Sequence, residues 1–105
     1  MNNQYGIDIN SLERFITKPA LKKFDWGEHG ILLEEPTFRL EKISVNAGSS
    51  ADLDGDANFE TTLWVEEGEG VVQGVKMGAF EIITLPPQQK WNIVAEKPIT
   101  AYLFC

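Results

Sequence analysis

The sequence predicts an all-β protein, an antiparallel sandwich or barrel carried by one domain of 105 residues. Three observations point there. Short runs rich in Val, Ile, Thr, Phe and Trp recur from residue 30 onward, turn-forming residues separate them at turn-length intervals, and the strand–helix alternation of a parallel sheet is missing. A chain of this length supports one core, so no second independent domain is expected.

The elements follow in order. Residues 1–25 read as an N-terminal arm with one short helix, for which Asn10 is the cap, Glu13 completes a capping-box pattern and Pro19 is the stop. Leu12, Phe15 and Ile16 form its apolar stripe, and two turns need docking to persist. Residues 26–105 read as the barrel, with strands over 30–34, 37–46, 60–66, 69–73, 80–85, 91–95 and 98–104. Gly48, Gly55, Gly68, Gly74, Gly78, Pro86-Pro87 and Pro98 punctuate them.

Composition removes several function classes. The formal net charge is -7, which repels phosphate backbones and anionic lipid, so neither nucleic acid nor a membrane surface is the expected partner. A single cysteine, Cys105, allows no internal disulfide, and a single histidine, His29, allows no multi-imidazole metal site. The polar start Met1-Asn2-Asn3-Gln4 does not resemble a signal peptide, and no apolar run reaches the ~20 residues of a bilayer span. A cytoplasmic location is therefore expected.

Charge is also polarised along the chain. Arg14, Lys18, Lys22 and Lys23 make the head mildly basic, whereas Asp52, Asp54, Asp56, Glu60, Glu66, Glu67 and Glu69 follow one another without a base. Asp52, Asp54, Asp56, Asn58 and Glu60 alternate as the first ligands of a calcium loop do, but Ala57 stands where that loop needs glycine and Leu63 where it needs a bidentate glutamate. A solvated acidic loop at the barrel rim is the expected reading.

A longer pattern lies across this region. The stretch "DWGEHGILLEEPTFRLEKISVNAG", the acidic loop and "ETTLWVEEGEGVV" resemble the cupin domain of type II mannose-6-phosphate isomerases, and the likeness covers roughly residues 26–104. Gly48 and Gly68 keep the spacing of the two first-motif glycines, and "ITLPPQQKWNIVAEKPITAYLF" is similar to the second motif. The resemblance implies a cupin jelly-roll barrel. Carried over by position, the metal-binding histidines fall on Asp56 and Asn58, the metal-binding glutamate on Thr61 beside Glu60, and the second-motif histidine on Trp91. The second-motif glycines fall on Phe80 and Gln88. A set of Asp, Asn, Thr and Trp offers no imidazole, so no transition metal and no other cofactor is expected.

Strand parity adds further candidates. Arg39 and Glu41 share a face with Ile43 and Val45, so they point inward together, where Arg39 either binds an anionic ligand group or pairs with Glu41. Thr61, Leu63 and Val65 line the interior. Trp91 either plugs the barrel or offers a stacking platform with one N–H donor. His29 beside Glu28 reads as a surface hydrogen-bonding residue, and the sequence shows no His–carboxylate pair.

Three functions remain. The first is a metal-free barrel that binds a small polar molecule, such as a sugar or sugar phosphate, through Arg39, Asp56, Asn58, Thr61 and Trp91. The second is a sugar isomerase or epimerase with Asp56 or Glu60 as base. The third is a non-catalytic protein that docks or oligomerises through its N-terminal helix and an edge strand, and a homodimer is the expected assembly.

Overall fold

A computed structural model describes residues 20–105. The helix expected between Asn10 and Pro19 lies outside the described residues, and the described ones form strands and turns alone. Eight strands run in the order β1 (Lys22–Phe24), β2 (Gly27–Glu35), β3 (Phe38–Val45), β4 (Ser50–Asp54), β5 (Thr61–Val72), β6 (Val75–Gly78), β7 (Ile82–Leu85) and β8 (Lys90–Phe104). No helix among the described residues is long and apolar enough to cross a membrane.

Two long strands organise the molecule. β5 and β8 pair antiparallel along most of their length, and each exchanges its outer neighbour part-way. The first half of β8 pairs with β4 and the second half with β3, while the first half of β5 pairs with β7 and the second half with β6. β2 and β1 extend the sheet beyond β3, so sheet structure begins at Lys22, ahead of residue 26. The result is two antiparallel layers that share β5 and β8, closed over one core.

Gly68 and Pro98, expected as ends of separate strands, face each other across the β5–β8 pair. The ladder is irregular there, between Glu67 and Glu69 on β5, and both strands continue through the bend. Gly68 has φ +94°, and a Cβ at that position would lie 2.0 Å from the Pro98 carbonyl oxygen. The two breakers mark a corner instead of a turn.

The acidic stretch also departs from expectation. Ser50–Asp54 is strand, not loop: Ala51 is buried and Leu53 packs on the core, while Asp52 and Asp54 face solvent. Asn92 on β8 donates to Asp52 Oδ1 at 2.8 Å, a cross-strand contact that fixes this face outward. The alternating acids are therefore the wet side of a two-residue period.

The core takes side chains from both layers. Ile43, Val45, Leu63, Val65, Ala101 and Leu103 come from one, and Ala51, Val72, Met77, Trp91, Ile93 and Ala95 from the other. Thr61 is the one buried polar side chain among the described residues. Phe80 and Gln88, where the resemblance places glycines, both have positive φ, 69° and 65°. Both residues hold the left-handed conformation that glycine adopts most easily.

Candidate functional site

At one end of the barrel, the inward faces of β2, β3, β5 and β8 meet the connection between β4 and β5. Arg39 on β3 and Cys105 after β8 exchange backbone hydrogen bonds at 3.1 and 3.0 Å, which places their side chains next to each other. Arg39 Nη2 lies 3.4 Å from Cys105 Sγ, and Thr61 Oγ1 from β5 lies 3.5 Å from the same sulfur. Glu41, two residues after Arg39 on the same face, accepts from Arg39 Nε at 3.0 Å.

His29 completes the row from the neighbouring strand. Its Nε2–H donates to Glu41 Oε1 at 2.6 Å, so a His–carboxylate pair is present where none was expected, and His29 is half-buried. The contact is long-range: His29 stands opposite Ile43 in the β2–β3 ladder, and a register shift between Ile31 and Leu33 sets the alignment on one side of it.

Asp56 arrives from the opposite direction. The β7–β8 turn holds its backbone, because Gln88 N–H donates to the Asp56 carbonyl at 2.8 Å and Gly55 N–H donates to the Gln89 carbonyl at 2.8 Å. Its Oδ1 accepts the backbone N–H groups of Asn58 and Phe59 at 2.8 and 2.9 Å, which turns Oδ2 toward Arg39 Nη2 at 3.1 Å. A hydrogen-bonded chain His29–Glu41–Arg39–Asp56 thus spans the mouth.

Beneath it lies a cavity of about 250 Å³, lined by His29, Arg39, Glu41, Asp56, Thr61 and Trp91 among others. Trp91 is 1% exposed and belongs to the core, yet its Nε1–H has no hydrogen-bond partner among the described residues. An orphaned buried donor costs roughly 1–3 kcal/mol. Of the candidates read from sequence, Arg39, Asp56, Thr61 and Trp91 are together. Asn58 and Glu60 are not: both side chains are exposed, and Asn58 contributes its backbone N–H to Asp56. His29, Glu41 and Cys105 join the site instead.

Charge within the site is largely compensated. Burial pushes the Glu41 carboxyl up, but the hydrogen bond from His29 and the charge of Arg39 outweigh it and hold the group below its ordinary value. The backbone N–H groups of Asn58 and Phe59, helped by Arg39, likewise hold Asp56 low. Two carboxylates against one guanidinium leave the wall electronegative, so the expected capture of an anion by Arg39 has an obstacle in Glu41 and Asp56.

No protein-family profile matches the chain, and no curated protein matches it. Solved structures do. GK1651 from Geobacillus kaustophilus superposes with a TM-score of 0.70 at 14% identity over 83% of this chain, which spans 42% of that protein. A cupin superfamily protein, DSY2733 from Desulfitobacterium hafniense, gives 0.62 at 14% identity over 72% of both chains. Pac13 from Streptomyces, described as a nucleoside dehydratase, gives 0.66 at 17% identity over 83% of this chain and 75% of its own.

The chain has a cupin fold.

A metal does not fit this cupin mouth as it stands. Among the described residues no three His, Cys, Asp or Glu are arranged to share an ion, and the Arg39 guanidinium occupies the space between the carboxylates.

The hydrogen-bonded chain predicts an acid-sensitive barrel. Glu41 and Asp56 both have folded pKa values below their unfolded ones, so their stabilisation is complete above the ordinary carboxyl pKa of about 4 and is lost as pH falls through the depressed values. Urea midpoints measured from pH 7 downward should therefore decline for the wild type below about pH 4. Glu41→Gln and Asp56→Asn should each flatten that decline while lowering the neutral-pH midpoint.

Proposed function

We propose that this cupin binds a small polyhydroxylated molecule, of the sugar class, in the cavity at its mouth. The observation that carries the reading is the unpartnered Nε1–H of Trp91, a buried donor on a residue that lines a cavity whose rim supplies carboxylate acceptors from Glu41 and Asp56. A sugar hydroxyl accepts from the indole and donates to a carboxylate, which suits this mixture. The electronegative wall favours neutral hydroxyl-rich molecules over their phosphates, and the cavity volume is that of a monosaccharide-sized ligand.

A thermal-shift screen of hexoses, pentoses, nucleosides, nucleotide sugars and sugar phosphates tests it, followed by calorimetry on each hit. At least one neutral sugar or nucleoside should raise the melting temperature. Trp91→Phe, which removes the donor and keeps an aromatic ring, should weaken that ligand about tenfold. A flat response from every class, or undiminished binding by Trp91→Phe, overturns the reading.

A second reading, proton transfer on the bound sugar as in an isomerase or epimerase, draws support from the His29–Glu41 pair. Glu41 accepts from Nε2–H and orients the ring, so Nδ1 is the nitrogen left to take a proton from a ligand. Running the same screen in D2O and following ligand carbon-bound protons by NMR separates turnover from binding.

A further inference from the structure

A second cavity adjoins the mouth. It encloses about 430 Å³ between the β2–β3 hairpin and the β4–β5 connection, and it shares Arg39, Asp56 and Cys105 with the mouth cavity, so the two spaces meet at the Arg39–Asp56 ion pair. Its remaining walls differ in character from the mouth. Phe38, just after the hairpin turn, and Phe59, just after Asp56, both line it, and they are 36% and 62% exposed. Their backbones are fixed. Phe38 stands opposite Glu35 in the β2–β3 ladder, and the Phe59 N–H donates to Asp56 Oδ1 at 2.9 Å. The lining also carries three carboxylates, Glu34, Glu35 and Asp56, against the single guanidinium of Arg39, which Glu41 and Asp56 already engage.

We propose that this outer cavity is a subsite for an uncharged or cationic aromatic group. The ligand is then an aryl glycoside, with its sugar in the mouth cavity and its aglycone in the outer one; this pairing rests on the sugar-binding reading, whereas the subsite itself does not. Two exposed phenyl rings in one cavity are apolar area that a ligand ring can take out of water, and their faces attract a cation. The carboxylates repel an anionic aglycone. A free monosaccharide fills only the mouth and leaves Phe38 and Phe59 wet.

The subsite is tested first without any sugar. Saturation-transfer NMR should detect phenyltrimethylammonium bound to the wild type, and benzenesulfonate, the same ring with the opposite charge, should give no signal. Phe59 lies outside the core cluster, so Phe59→Ala keeps the fold, and it should abolish the signal. Phe80→Ala removes a more exposed ring that lines neither cavity and should leave it unchanged. Replacing Glu34 and Glu35 together by Gln should weaken the ammonium and narrow the difference between the two ions. A silent ammonium, or one that Phe59→Ala still binds as the wild type does, overturns the subsite.

Calorimetry with paired methyl and phenyl β-glycosides of glucose, galactose, mannose and xylose then tests the pairing. For a sugar that binds, the phenyl glycoside should be about tenfold tighter than the methyl one. Phe59→Ala should erase that difference and leave the methyl glycoside unchanged, whereas Trp91→Phe should weaken both alike. Methyl and phenyl glycosides of equal affinity overturn the aryl glycoside and leave the sugar reading intact. Silence from every glycoside beside a bound ammonium overturns the sugar reading and leaves the subsite standing.

Discussion

Gly68→Ala should destabilise the domain by about 3–5 kcal/mol, a large part of the ~5–15 kcal/mol that holds a domain together, and lower the melting temperature by roughly 15–30 °C. Two costs combine. The φ of +94° is one that L-residues rarely adopt, worth of order 1–3 kcal/mol, and the new Cβ would sit 2.0 Å from the Pro98 carbonyl oxygen and 2.9 Å from Ile99 Cα. Both obstacles are backbone, so neither can move aside by changing a rotamer. The β5–β8 ladder would have to open at its corner. Differential scanning calorimetry reads the effect, and an alanine variant within a few degrees of the wild type would show that the corner is more pliant than its geometry.

Trp91→Ala should cost about 3–5 kcal/mol, the usual range for deleting a large aromatic from a core. Trp91 is the largest fully buried side chain in the described structure and packs in the same cluster as Ile93, Leu103 and Leu53. Its loss would merge the mouth cavity with the core beneath. Urea unfolding is the direct measurement: Trp91→Ala should shift the midpoint strongly, and Trp91→Phe much less, because most of the volume stays and an unpartnered donor leaves. Equal losses in the two variants would mean that the indole N–H is itself stabilised by a partner. Plug and platform, which read as alternatives in the sequence, meet in one residue: Trp91 belongs to the core cluster and also lines the cavity.

The fold was legible wherever a local pattern carried it. β-branched and aromatic runs marked most of β3, β5 and β8, and the parity that put Arg39 on one face with Glu41 is what the structure shows. Errors arose where composition and geometry part company. Gly68 and Pro98 carry the same letters whether they end strands or bend them, and only their meeting across the ladder decides. Asp52 and Asp54 looked like a loop because acids are rare in strands, but one exposed edge face tolerates them.

The site was harder to read than the fold because it is assembled by register. His29 reaches Glu41 through a β2–β3 alignment with an irregularity beside it, and no spacing along the chain reveals that. Cys105 carries no motif; its pairing with Arg39 brings it in. Asp56, a candidate by position in the resemblance, lines the mouth cavity, whereas the side chain of Asn58, two residues on, is exposed and its backbone N–H donates to Asp56.

The sharing of β5 and β8 between both layers has a thermodynamic consequence. Each layer owns only half of each long strand, so neither can detach without breaking a ladder that also belongs to the other. Such an arrangement has no separable layer among the described strands, and a single cooperative melting transition is expected. The mouth inherits that cooperativity: Thr61 stands at the start of β5, Trp91 near the start of β8 and Cys105 just past its end, so the residues facing a ligand are ordered or lost together with the core.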